Sequence, residues 1–389
     1  MKNKLCEDIV NFNKKNDKGA ALYIHIPFCM RKCLYCDFFS FAADKNLMDE
    51  YISSLCTEIK RFKNIKIKSI FIGGGTPTCL NVNELDALAN AILVLNAQNV
   101  EFTMECNPGT LNMEKLKIIR KMGVNRLSIG LQAWQDRLLK KLGRIHSRDD
   151  FIKSYDMARS AGINNINVDI MFGLPEQTLN DWGETIDNVL SLKPQHISCY
   201  SLIIEEGTPF YELYGKNRLA VPDEDTERKM YALGVEKLKK EGYNQYEISN
   251  FSLKGYECRH NLVYWSLQPY IGLGAGAHSY VNNLRFKNTQ NIEEYIRCMN
   301  NNLQCMEDIH ENSKKDNMEE YVFTGLRKIN GISISEFYSR FEEDIFKVYG
   351  TVIEKYLSTQ HLDIEGDRLF LTYKGIEISN YVMSDFILD

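Results

Sequence analysis

Residues 23–39 read YIHIPFCMRKCLYCDFF, and this stretch decides the fold. A short apolar strand, ALYIHI (21–26), runs into a loop carrying Cys29, Cys33 and Cys36 in a C-x3-C-x2-C pattern. Thiolates are soft ligands that favour zinc or iron–sulfur clusters. A structural zinc site wants four protein ligands, often as two pairs. No second pair lies nearby, and His25 is the available fourth ligand. Three thiolates on one short loop suit a [4Fe–4S] cluster with one iron left open. On these residues alone, zinc and a purely structural cysteine loop stay as alternatives.

Outward from this loop, β-branched and aromatic runs recur: KSIFIGG (68–74), VEFTMEC (100–106), NRLSIGLQ (125–132), NNINVDIMFG (164–173) and QHISCYSL (195–202). Segments of helical periodicity separate them: 49–62, 83–95, 113–123, 147–162 and 179–192. Strands that alternate with helices and are buried on both faces predict a parallel βα array. Gly123 and Gly162 fall just past two of the helices, where a left-handed residue closes the turn. Six units are visible, which predicts an α/β fold with an open, partial TIM-like (βα)6 barrel. A doubly wound sheet is the alternative. After about residue 205 the pattern changes. A helix at 223–242, a tyrosine-rich irregular stretch and IGLGAGAHSY (271–280) precede helical segments. The chain then closes on LDIEGDRLFLTYKGIEI (362–378), where two short strands flank the turn EGD, the pattern of a winged-helix-like unit. The expected division is an extension over 1–20, a barrel over 21–210, a barrel extension over 211–310 and a C-terminal domain over 311–389.

The 389 residues are 44% hydrophobic, enough for a sizeable core, and carry a net charge of −5. That balance gives no electrostatic footprint for general nucleic-acid binding. No apolar run approaches the roughly 18 residues of a membrane span, and the N-terminus lacks a secretory pattern. Eleven cysteines without such a pattern predict a reducing, cytoplasmic setting rather than a disulfide framework.

Most proposed strands end in chemically unusual sequence: GGGTPT (73–78), ECNPG (105–109), GLQ (130–132), and FGLP (172–175) after Asp169. Ligands of parallel βα folds bind at the C-terminal strand ends. The cysteines, Gly73–Thr76, Glu105, Gln132 and Asp169 are therefore expected around one cavity. Each has a plainer reading alone, because a glycine run is usually a turn and a strand aspartate is often held by backbone amides.

The cysteine pattern with Tyr35 before its last member resembles the radical S-adenosylmethionine (SAM) superfamily motif. YIHIPFC, GGGTPT and ECNPG narrow the resemblance to oxygen-independent coproporphyrinogen III oxidase and its haem-chaperone relatives, the HemW-type proteins. It covers nearly the whole chain from about residue 20. The resemblance implies that Cys29, Cys33 and Cys36 hold a [4Fe–4S] cluster whose open iron takes the amino and carboxylate groups of SAM. An electron from such a cluster can cleave the sulfonium bond to a 5′-deoxyadenosyl radical. It further implies SAM contacts from Tyr23, Tyr35, Gly74, Gly75, Thr76, Glu105, Gln132, Arg144 and Asp169. Glycines admit close backbone approach, and Arg144 offers a planar fork for a carboxylate.

Two features separate the branches. The oxidase pattern carries a fourth cysteine where this chain has Phe38, as the chaperone branch does. RHNLVYW (259–265) contains H-N-x-x-Y-W, which resembles the haem-binding signature proposed for that branch, with His260, Asn261, Tyr264 and Trp265 as candidate haem contacts. His260 can be an axial ligand, and His278 in GAGAHSY is the alternative. A histidine beside aromatics is otherwise a packed, hydrogen-bonded site. The reading is a haem chaperone on a radical SAM scaffold, with haem as ligand, an acceptor protein, an electron donor for the cluster, and homodimerisation in support. The alternative is an oxidase converting coproporphyrinogen propionates to vinyls.

Overall fold

The computed structural model describes residues 19–388, so the expected extension over 1–20 lies almost wholly outside the described residues. The barrel half contains β1 (Ala20–Ile26), α1 (Lys45–Lys60), β2 (Ile67–Gly74), α2 (Val82–Leu93), β3 (Glu101–Cys106), α3 (Met113–Met122), β4 (Arg126–Gln132), α4 (Asp136–Lys141), α5 (Arg148–Ser160), β5 (Asn165–Phe172), α6 (Leu179–Ser191) and β6 (His196–Ser201). Local chemistry sets the boundaries. Asn81, Ser147 and Thr178 each close a capping box at the start of α2, α5 and α6, which satisfies orphan amides of the first turn. Gly123 ends α3 at φ 105°.

β1 to β6 lie side by side in chain order and pair in parallel. A doubly wound sheet would reverse its strand order at a switch point; this one does not, and it is a TIM-like partial barrel. Alternation along the strands sorts the faces. Ile70, Ile72, Met104, Ile129, Val168, Ile170 and Ile197 pack outward in one apolar core with Leu88, Leu116, Ile119, Phe151 and Ile186 of the helices. The opposite face lines the lumen.

The stretch read as irregular is more ordered than its sequence suggests. After α7 (Pro209–Gly215) and α8 (Glu224–Lys240) come β7 (Asn244–Glu247), β8 (Asn250–Ser252), α9 (Arg259–Trp265), β9 (Tyr270–Leu273), β10 (His278–Val281), β11 (Leu284–Asn288), α10 (Ile292–Asn300) and β12 (Met306–Glu311). β8 pairs antiparallel with β6, and β9 parallel with β1. The result is one twelve-stranded sheet ending at β12 and β7, so the six-stranded barrel is extended on both sides.

The C-terminal part holds α11 (Lys314–Gly325), β13 (Ile332–Ser333), α12 (Ile334–Phe341), α13 (Ile345–Ser358), β14 (Leu362–Glu365), β15 (Arg368–Leu371), α14 (Tyr373–Glu377) and α15 (Ser379–Ser384). Its small sheet, β13-β15-β14, and its helices match the winged-helix-like expectation. The second hairpin strand stops at Leu371, because the Thr372 hydroxyl accepts from Gly375 N and starts a helix. A second apolar core gathers Val322, Phe337, Ile353 and Val382, and also recruits Leu267 and Tyr280 from before residue 311. Among the described residues, no helix is long and apolar enough to cross a membrane.

Candidate functional site

The cysteine loop is pinned at both ends. Cys29 N donates to Phe41 O (2.9 Å) and Phe41 N to Pro27 O (2.9 Å). At mid-loop, Leu34 N donates to Leu142 O (3.0 Å) and Phe210 N to Leu34 O (3.0 Å). The three thiols are half-buried, and burial pushes the Cys36 thiol up from its usual range. His25 does not face them as a fourth ligand. Its Nε2 is bonded to Phe39 O (2.9 Å) and its Nδ1 to the Tyr23 hydroxyl (3.0 Å). Among the described residues, no three His, Cys, Asp or Glu side chains converge on a single-ion site. In a four-iron cluster each thiolate binds a different iron, so the thiols need not meet at one point.

The GGGT stretch closes against this loop. Gly75 N donates to Ile26 O (2.8 Å) and Thr76 N to Phe28 O (2.7 Å). Gly74 sits at φ 112°, and a Cβ there would stand 2.4 Å from the His25 ring. The protein's own packing therefore already demands this glycine. From Thr76 a polar chain crosses the mouth. The Thr76 hydroxyl lies 3.6 Å from Cys29 Sγ and accepts from Asn107 Nδ2 (2.7 Å). Asn107 Oδ1 accepts from Arg144 Nη1 (2.9 Å). Tyr35 lies beside Arg144, and its hydroxyl is pushed up to about 12, chiefly by burial. Among the described residues, Arg144 Nε is buried without a partner. Gln132 ends β4 at φ 71°, beside a bulge between Gly130 and Gln132. A Cβ at position 130 would meet Gln132, Arg144 and Asn107 within 3.3 Å. Asn107 and Gly130 are the members of this group that sequence reasoning missed. Their signal was a polar or glycine residue at a strand's C-terminal end.

Deeper in the lumen, Glu105 accepts from Gly74 N (3.1 Å). Burial, then the nearby Asp169 carboxylate, pushes Glu105 up to about 8. Asp169 accepts from Ser128 Oγ (3.0 Å) and Asn167 Nδ2 (2.8 Å), and burial raises it too. Two carboxyls in one desolvated space resist ionising together. The pair therefore offers acceptor oxygens whose proton affinity is raised by burial and by each other.

The structure places HNLVYW away from this mouth. It forms α9, which caps the far end of the lumen. Glu101 at the start of β3 accepts from Arg259 N and His260 N (both 3.0 Å), a carboxylate at a helix N-terminus. His260 is buried, with Nδ1 bonded to Ser69 Oγ (2.9 Å) and Nε2 to the Tyr264 hydroxyl (2.9 Å). Burial, then the Arg126 charge, pushes its imidazole down to about 3. Both ring nitrogens are thus committed within the protein, as the packed, hydrogen-bonded reading anticipates. Tyr264 faces the lumen beside Tyr270 (4.6 Å between centroids), while half-buried Trp265 lies under the Arg327 guanidinium. Half-buried Asn261 shares the helix. Glu101→Ala is expected to remove about 3 kcal/mol, because it takes two charged hydrogen bonds from the helix start and a counter-charge from buried Arg126. A urea unfolding midpoint equal to wild type would contradict this placement of α9.

The comparisons agree with this geometry. Residues 23–189 match the radical SAM superfamily, and residues 312–378 match the HemN C-terminal domain. A Bacillus subtilis protein named heme chaperone HemW is 39% identical, over 94% of this chain and 99% of its own. The Lactococcus lactis protein of that name is 37% identical, over 96% and 98%. The chain belongs to the HemW family. Its placement with HemW inside the radical SAM superfamily implies a [4Fe–4S] cluster and SAM. A solved structure of the Escherichia coli coproporphyrinogen III oxidase HemN, described as a radical SAM enzyme, covers 98% of this chain and 93% of its own with a TM-score of 0.84. At 19% identity, that likeness speaks for the shared fold.

Proposed function

We propose that this chain is a haem chaperone, binding haem and passing it to an acceptor protein from a radical SAM scaffold. The observation that carries this reading is the near-full-length match to relatives that bear that name. Phe38, standing where the oxidases have a further cysteine, supports it.

In this reading Cys29, Cys33 and Cys36 hold the cluster. When bound, the cluster and SAM supply reductive cleavage of the sulfonium bond, with the electron coming from an external donor. The side chains around the loop fit the bound group. The buried Arg144 Nε lacks an acceptor, and a carboxylate would supply one. Gly74, Gly75 and Thr76 bring backbone to the loop for an amino group. Glu105 and Asp169 accept from ammonium or ribose hydroxyls, and Gln132 offers both a donor and an acceptor. Tyr23 and Tyr35 wall the space. HNLVYW is the far floor: His260 positions the Tyr264 hydroxyl, while Asn261, Tyr264 and Trp265 offer polar and aromatic surface. A cytoplasmic setting, and self-association supported by the cluster, belong to the same proposal.

The test sets the two branches against each other. With reductant and SAM, coproporphyrinogen III should be recovered unchanged from the reconstituted protein, while haem gives a saturable Soret change. Vinyl product without haem binding would replace this reading with the oxidase.

A further inference from the structure

With both nitrogens of His260 engaged inside the lumen, a different imidazole is open to a ligand. His278 opens β10 with an exposed side chain, and among the described residues its ring has no hydrogen-bond partner. The sheet register puts it on the inner face. Ala21 pairs with Tyr270 and Tyr270 with Tyr280, so alternation aligns His278 with the Tyr23 face of β1. Its cross-strand partner is Lys287. The adjoining GLGAGA turn runs under the cysteine loop. A Cβ at position 274 would meet His25, and one at position 276 would stand 2.9 Å from the Phe39 ring. Phe38, the next residue, is 64% exposed. Met30 on the same loop is exposed as well. The turn that leads into His278 therefore packs on the segment that carries Phe38, and Lys287 lies across the strand pair from His278.

Building on the haem-carrying reading, we propose that haem docks at this mouth against Phe38, with His278 as axial ligand and Lys287 paired to a propionate. The chemistry matches on three counts. A planar apolar macrocycle covers an exposed aromatic side chain that is otherwise left in water. A neutral imidazole nitrogen ligates iron, and partial burial with the charges of Lys287 and Arg285 holds His278 below its ordinary proton affinity. Lys287 is paired to Asp308 at 2.7 Å, a partner that is itself 72% exposed. A surface pair of this kind costs little to exchange for a propionate.

The test is haem titration of the full chain, followed by Soret spectrum and affinity, for wild type, His278→Ala, Lys287→Glu and His260→Gln. His278→Ala should shift the Soret band and weaken binding at least tenfold, and added imidazole should restore the wild-type spectrum. Lys287→Glu should weaken binding without moving the band, and His260→Gln should not reproduce the band shift of His278→Ala. A wild-type spectrum and affinity in His278→Ala, with both lost in His260→Gln, would overturn the assignment while leaving haem carriage standing. Absence of haem binding in wild type would overturn both.

Discussion

Cys33→Ser is expected to abolish the four-iron cluster. After anaerobic reconstitution, non-haem iron and sulfide should fall from four each per chain to near zero, with loss of the sulfur-to-iron charge-transfer absorbance. Serine is a hard, weakly acidic ligand in a position that needs a soft thiolate. The loop would keep its shape without the thiol, because backbone bonds hold it. Leu34 N reaches Leu142 O, and Cys36 N reaches Cys33 O at 3.3 Å. The variant should therefore unfold at the midpoint of metal-free wild type, which separates loss of a ligand from loss of the fold. A full iron count in Cys33→Ser would contradict the ligand assignment.

Gly74→Ala is expected to be a strongly damaging single-methyl change, costing about 3 kcal/mol or more. Two costs add. The residue sits at φ 112°, and its Cβ would stand 2.4 Å from the His25 ring. That ring cannot swing aside cheaply, because it bridges the Tyr23 hydroxyl and Phe39 O and stacks on the Phe39 ring. Displacing it would loosen the exit of the cysteine loop, so cluster yield should fall along with the unfolding midpoint. Gly109→Ala is the internal control. It also has positive φ, 81°, but no atom of the described residues lies within 4 Å of its Cβ position, so its cost is backbone strain of about 1 kcal/mol. Equal midpoints for the two variants would contradict the close-packing argument.

The barrel was legible because its strands are buried on the helix side and bounded by capping residues. The observed limits of β1 to β6 fall within a residue or two of the sequence reading. The mouth was legible because the fold class dictates where loops carrying chemistry must meet. What escaped was set by long-range pairing. Within residues 244–288, β8 and β9 are short strands whose partners, β6 and β1, lie far off in sequence, so no local period marks them. The environment of His260 escaped for the same reason. Its bond to Ser69 spans 191 positions, and a histidine next to aromatics looks the same in sequence whether it faces a ligand or a buried hydroxyl. Lumen residues such as Arg126, Ser128, Asn167 and His196 did leave a trace, as polar residues at alternate positions in apolar strands. Asn107, between Thr76 and Arg144, stood in plain view within ECNPG, yet only its hydrogen bonds reveal what it joins.

The most direct measurement of the central claim is a double count on one sample: non-haem iron and sulfide in the anaerobically reconstituted chain, followed by haem titration of that same preparation. The account predicts four irons and four sulfides per chain together with saturable haem binding. A zinc-loaded chain without iron, or a full cluster with no haem bound at saturating concentration, would contradict it.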